Sequence, residues 1–251
     1  MSKSRYRLLV IAVLMLANRT AAAEPVCVAP TTLNGDAYDV RLEDERNVCL
    51  RQIVKTPPDY HMLVLSWSPS FCRSQQGANG KVSADLAFQC RDNNFGWVVH
   101  GLWAELNSPK TCSSDPNNPS RVTPLHPRYC GGDLPQLPTN LVKSTMCTMP
   151  GSRLIQGEWE KRGACIFKDP VAYFAKIKDL KAQLVLPDDI LPQTQLFRWM
   201  REHNAILRDV SMDYNPKGNE LHICYSTNWT PISCPGKPSP SRHLKKSHPR
   251  G

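Results

Sequence analysis

None of the ten cysteines stands in a close Cys-x-x-Cys pair, no internal repeat is visible, and no apolar run approaches the roughly 18 residues that argue for a membrane span. The first lack argues against zinc and thioredoxin-type redox sites. The second and third leave one non-repetitive body, with no membrane span expected in the mature chain. There is also no cluster of metal ligands, so no metal and no cofactor is expected.

What is present points to export. Lys3, Arg5 and Arg7 precede the apolar run Leu8–Ala17, and Ala21-Ala22-Ala23 stands before Glu24. Residues 1–23 therefore read as a secretory signal peptide, and the protein is expected to be secreted or periplasmic. All ten cysteines follow this leader, an even number suited to five disulfides in an oxidising compartment. Short loops make Cys72–Cys90 and Cys224–Cys234 plausible pairs; counting does not assign the others.

The formal net charge of +9 is not a property of the body. Four of the 31 basic residues lie in the leader, and Lys237, Arg242, Lys245, Lys246 and Arg250 lie in the tail, which leaves residues 24–235 formally neutral. The tail, residues 237–251, reads as a basic disordered segment that either holds an anionic partner such as RNA or only solubilises the chain.

Residues 24–58 read as an N-terminal extension stapled by Cys27 and Cys49 to the body or to itself. The body, residues 59–236, opens with a buried strand, Tyr60–Ser68, ended by Pro69. A loop closed by Cys72 and Cys90 follows, to Asn94. A second strand, Gly96–His100, puts His100 near its C-terminal end. Residues 107–140, rich in Pro, Asn, Ser and Gly, read as a long disulfide-held excursion. Asp169-Pro170 starts a helix, with Asp as N-cap and Pro at the first helical position. A second helix spans Thr194–Arg208, and Glu220–Tyr225 alternates Leu221, Ile223 and Tyr225 on one face of a late strand. Helices and strands mixed without regular alternation give an α+β domain.

Two segments carry chemistry. FGWVVHGLW (Phe95–Trp103) places a histidine on a β-type run beside a glycine and a tryptophan. GEWEKRGAC (Gly157–Cys165) offers a carboxylate and two fixed positive charges. Read singly, His100 could be structural and Glu158 to Arg162 a solvated charge cluster. Together they supply a proton-transfer group, a carboxylate and cations, a set suited to a phosphodiester.

The pair resembles the two active-site segments of the T2 family of secreted ribonucleases, roughly HGLWP and HEWxKHGxC. His100, Gly101, Leu102 and Trp103 match the first, with Ala104 in place of Pro. Glu158, Trp159, Lys161, Gly163 and Cys165 match the second. Gly157 stands where many members carry His, and Arg162 stands where the family carries one of its two main acid–base histidines. The resemblance runs from about Tyr60 to Pro235. It implies an antiparallel sheet packed with helices and stabilised by disulfides, and a Cys112–Cys165 pair.

Cleavage of RNA by its own 2′-hydroxyl needs a base, an acid and positive charge on the transition state. The resemblance implies His100 as one proton-transfer group and Lys161 as a stabilising charge. It implies that Glu158 orients groups, polarises the phosphate or acts as a poor substitute base. Arg162 binds phosphate but cannot act as a base at physiological pH, because a guanidinium keeps its proton to a pKa above about 12. Trp103 and Glu105 follow His100 where the family places base-binding residues; Trp103 reads equally well as core. The expected function is an attenuated T2-type endoribonuclease, a monomer that cleaves single-stranded RNA to a 2′,3′-cyclic phosphate. Two other readings stand beside it: a catalytically inactive RNA-binding member, and an exported interaction or storage protein that uses the scaffold only.

Overall fold

The computed structural model describes residues 27–33, 38–113 and 122–237. The expected signal peptide and all of the basic tail beyond Lys237 lie outside the described residues. At the centre is β1 (Tyr60–Trp67), whose run of β-favouring residues is buried on both faces. It is flanked antiparallel by β2 (Trp97–Glu105) and β6 (Glu220–Ser226). The short strands β5 (Asp213–Asn215) and β7 (Pro231–Ile232) both pair with β6 and complete the sheet. A separate hairpin, β3 (Lys110–Ser113) with β4 (Val122–Leu125), occupies the excursion after β2.

Helices cover one face of the sheet. These are α3 (Thr139–Thr145), α4 (Ser152–Lys161), α5 (Pro170–Ala182) and α6 (Gln193–His203), while α1 (Ser68–Ser74) and α2 (Ala87–Cys90) lie in the connection from β1 to β2. Strand side chains alternate with period two, so Leu63, Leu65, Leu102, Leu221, Ile223 and Tyr225 share the covered face. All six are fully buried against Tyr173, Ile177, Leu180, Leu196 and Met200 in one core. Asp169 caps α5 as expected, its Oδ1 accepting from Val171 N at 3.0 Å ahead of Pro170.

The outer edge of β2 is not left bare. Tyr173 Oη accepts from Leu102 N and donates to Leu102 O, and Thr148 O accepts from Val99 N, which satisfies backbone groups that would otherwise be buried without partners.

Several expectations need correcting. The segment after β1 is not all loop, since Cys72 and Cys90 sit on α1 and α2, which their disulfide joins. β2 runs on to Glu105, so His100 is in mid-strand rather than near its end. The α6 helix stops at His203, and a 3-10 turn, Ala205–Leu207, follows. The pair implied by the resemblance, Cys112–Cys165, does not form: Cys112 bonds Cys49, and Cys165 bonds Cys130. Cys27 bonds Cys147, so both cysteines of the N-terminal extension are tied to the body. Cys224–Cys234 forms as its short loop suggests.

Candidate active site

The site is built on the sheet face opposite the helical core. Register places Ser66, Trp103, Glu105, Glu220 and His222 on that face. His100 is three residues from Trp103, and strict alternation would send the two to opposite faces. A bulge prevents this. The pairing steps from Val64↔Gly101 to Leu65↔Val99, leaving His100 as the extra residue, so its ring meets Trp103 edge-on with centroids 5.4 Å apart.

The second segment arrives on α4, which is buried nearly all round, from Ile155 to Glu160. Its buried polar residues, Gln156, Glu158 and Glu160, stand among the apolar Ile155 and Trp159. Glu158 lies on α4 and Arg162 just beyond its end, its N donating to Glu158 O at 3.0 Å. Glu158 Oε2 accepts from Trp103 Nε1 at 2.8 Å, Glu158 Oε1 stands 3.8 Å from His100 Nε2, and the Arg162 guanidinium lies 4.8 Å over the Trp103 ring. A Cβ on Gly101 would fall on Glu158 Oε2 and 2.5 Å from Trp103 Nε1. Only glycine lets the carboxylate cross the strand there. Gly163 is constrained in the same way, since a Cβ would meet Trp159 at 2.7 Å and Tyr173 at 2.8 Å.

His100 is held from its other side by a residue outside both segments. Its Nδ1 is 2.6 Å from Glu220 Oε1, and about a third of its side-chain surface is exposed. Burial by itself favours the neutral ring. The hydrogen bond to Glu220 and the charges of Glu158 and Glu220 outweigh both that and the opposing charge of Arg162, so the pKa is raised above its ordinary value. Glu220 is displaced in the opposite sense. Burial pushes its carboxyl up, but the bond from His100, the neighbouring His222 imidazole and Asn215 hold it well below the usual carboxylate range.

The remaining site residues divide. Glu105 is buried, 2.7 Å from His126 Nδ1 and 3.7 Å from Arg162 Nη1. Arg162 Nη1 is buried with no hydrogen-bond partner among the described residues. Lys161 turns toward the N-terminal extension, where Glu45 Oε2 lies 3.9 Å from its Nζ. Gly157 also faces that extension, with Val40 3.7 Å from where a Cβ would stand. The structure thus brings together His100, Trp103, Glu105, Glu158 and Arg162, while the ion pair of Lys161 is made elsewhere.

Of the other histidines, His222 lies on the site face, 3.8 Å from Glu220 Oε2, and His126 reaches the site through Glu105. His61 is on the opposite face, stacked on Trp229, where burial lowers its pKa to about 4. His203 stacks on Trp199 at the end of α6. Sequence reasoning missed Glu220, and offered His222 only as one of four body histidines, with His61, His126 and His203, none of which it could place in the site. The signal for Glu220 and His222 was the polar pair at alternate positions of an otherwise apolar strand.

Among the described residues no group of three or more His, Cys, Asp or Glu is placed to hold a metal ion, and no helix is long and apolar enough to cross a membrane.

The sequence profile of the Ribonuclease T2 family matches residues 58–212. A probable ribonuclease of Haemophilus influenzae is 41% identical over 202 residues, covering 80% of this chain and 68% of that protein. Ribonuclease I of Escherichia coli is 29% identical over 147 residues, covering 50% of this chain and 54% of its own. Among solved structures, RNase NT in complex with 5'-AMP superposes with a TM-score of 0.44 at 17% identity, covering 78% of this chain and 95% of its own. An RNase-related protein from Calystegia sepium gives a TM-score of 0.48 at 15% identity, covering 73% of this chain and 94% of its own.

Proposed function

Because the chain belongs to the ribonuclease T2 family, we propose that it is an exported, monomeric endoribonuclease that cleaves single-stranded RNA by transphosphorylation, with His100 as its proton donor. The reading is carried by one observation: an imidazole held between two carboxylates, Glu220 at 2.6 Å and Glu158 at 3.8 Å, with a third of its surface open. Both carboxylates favour the protonated ring, which suits the acid role. The 2′-oxygen bonds to phosphorus and its proton passes to Glu158. The bond from phosphorus to the 5′-oxygen breaks, and that oxygen takes the proton from His100 Nε2, leaving a 2′,3′-cyclic phosphate.

Glu158 is a weaker base than the histidine that Arg162 replaces. Loss of one positioned acid–base group costs about 10²- to 10⁴-fold, so the activity is attenuated. Arg162 supplies charge instead, its guanidinium stabilising the phosphorane. Trp103, with one face under Arg162, offers its remaining surface to a base, while Glu105 sets Arg162 and His126 from beneath. The five disulfides fit an oxidising compartment.

One observation favours a second reading. The Arg162 guanidinium, stacked on Trp103, is a fixed positive charge that cannot take up a proton, which suits phosphate binding without turnover, as in a non-catalytic RNA-binding member. Single-turnover cleavage of a fluorescent RNA oligonucleotide across pH 4 to 8 separates the two, comparing wild type with His100→Ala and Arg162→His. Wild-type cleavage abolished by His100→Ala supports the enzyme. A silent wild type that gains cleavage with Arg162→His, and binds RNA with strong salt dependence, supports the binder.

A further inference from the structure

Glu220 lies outside both active-site segments, on the central part of the sheet, and is about nine-tenths buried. A buried carboxylate without compensation is costly, so the groups around it reveal what it is built for. Its Oε1 faces His100 Nδ1 at 2.6 Å and accepts from Ser66 Oγ at 3.3 Å, and its Oε2 accepts from Asn215 Nδ2 at 2.9 Å. A Cβ on Gly218 would lie 2.8 Å from Glu220 Cδ, so the turn before β6 leaves room for this side-chain position. Serine, asparagine and glycine from β1, β5 and the turn thus hold one carboxylate against one imidazole.

We propose that Glu220 is the positioning residue for His100: it accepts from Nδ1–H, which turns Nε2 outward toward Glu158 and the substrate, and it sustains the charged ring that donates to the leaving oxygen. The catalytic half of this assignment rests on the ribonuclease reading above; the coupling of Glu220 to His100 does not. The charged and titratable groups facing the pair are Glu158 from α4, Arg162 just beyond it, and His222 from β6, the last itself facing Asp213 of β5 at 3.9 Å. Arg162 opposes the charged ring and Glu158 favours it. Glu220 makes the direct bond.

The test is an NMR titration of the His100 ring in the disulfide-bonded protein, with His100→Ala for assignment, run beside the pH profile of single-turnover cleavage. Glu220→Gln keeps the shape and removes the charge. It is expected to lower the His100 titration by about one pH unit or more. The alkaline limb of the cleavage profile moves down by the same amount, about tenfold in rate per unit beyond the limb, with KM unchanged. Glu220→Asp, which keeps the carboxylate, recovers part of the shift.

An unchanged His100 titration in folded Glu220→Gln overturns the proposal. Should that variant not fold, Glu220→Asp, which keeps the charge but draws the carboxylate back from Nδ1, is expected to give a smaller shift in the same direction; no shift there overturns it equally. A lowered titration with an unmoved cleavage limb overturns proton transfer by His100, and with it the positioning role of Glu220 in the reaction. A wild type silent on RNA that still shows the shift overturns the ribonuclease reading while leaving the Glu220–His100 coupling established.

Discussion

The two faces of one sheet are put to opposite uses. On the helical side, Leu63, Leu65, Leu102, Leu221, Ile223 and Tyr225 are fully buried among other apolar side chains. On the other side the same three strands carry Ser66, His100, Trp103, Glu105, Glu220 and His222, four of them ionisable and largely withdrawn from water. Apolar residues tolerate burial singly, whereas charges tolerate it only in mutually satisfied sets. The core face is therefore governed by volume and the site face by pairing, and substitutions on the two should fail in different ways.

The sharpest separation is expected from His100→Ala. It should lower single-turnover cleavage by about 10²- to 10⁴-fold, with a loss of stability that varies with pH because Glu220 is left unpaired. Leu221→Ala, next to Glu220 on β6 and facing the other way, should cost stability without touching the chemistry. Truncating a buried leucine costs about 2–5 kcal/mol of stability, measurable by urea unfolding, with the cleavage pH profile of the folded fraction unchanged. If Leu221→Ala moved that profile, the two faces would not be independent.

Glu160 tests whether burial or pairing sets the cost of a charge. It is fully buried on α4, where desolvation raises its pKa to about 7, opposed by a hydrogen bond from Gln156. The unfolded carboxyl ionises near pH 4.5, so Glu160 destabilises the fold increasingly as pH rises from there to about 7. Glu160→Gln should therefore stabilise the protein at pH 8, by about 1–3 kcal/mol, and have little effect at pH 4. Thermal unfolding at the two pH values checks this. An equal effect at both would mean that the carboxyl's charge is not what matters.

The paired charges of the site face have the opposite sign of effect. Glu220 is shifted down in the fold, so its contribution is full above its unfolded value, about 4.5, and is lost as pH falls through the folded one. His100 is shifted up, so its contribution is full below about 6.5 and is lost as pH rises through the folded value. The pair should stabilise most between those limits, and Glu220→Gln should flatten that maximum in a plot of unfolding free energy against pH.

The smallest effect is expected at Glu45, which pairs with Lys161 at 3.9 Å from the N-terminal extension. A partly exposed pair of this kind contributes about 0–1 kcal/mol. Glu45→Gln should barely move unfolding, and should raise the affinity for an RNA oligonucleotide at low salt if the released lysine meets phosphate. Unchanged affinity would place Lys161 outside the binding surface.

Much of this arrangement is legible in the chain itself. The β1 run, the alternation of Leu221, Ile223 and Tyr225, and the Asp169-Pro170 helix start are local signals, written in residues that touch within a few positions. The α+β class follows from such signals, the two candidate segments stand out by their resemblance to the family, and the cysteine number points to an oxidising compartment. Three features were beyond them. The bulge that brings His100 to the face of Trp103 depends on how β1 and β2 register, and a one-residue step reverses every side chain. The choice of Cys49–Cys112 and Cys130–Cys165 over Cys112–Cys165 depends on where the excursion after β2 lies against the N-terminal extension. The meeting of His100 with Glu220, 120 residues away, depends on both strands flanking β1. Local order arises from interactions between near neighbours, so it can be read along one dimension. The site is assembled from distant side chains whose charges are affordable only once packing has removed the water between them, and that requires the folded sheet.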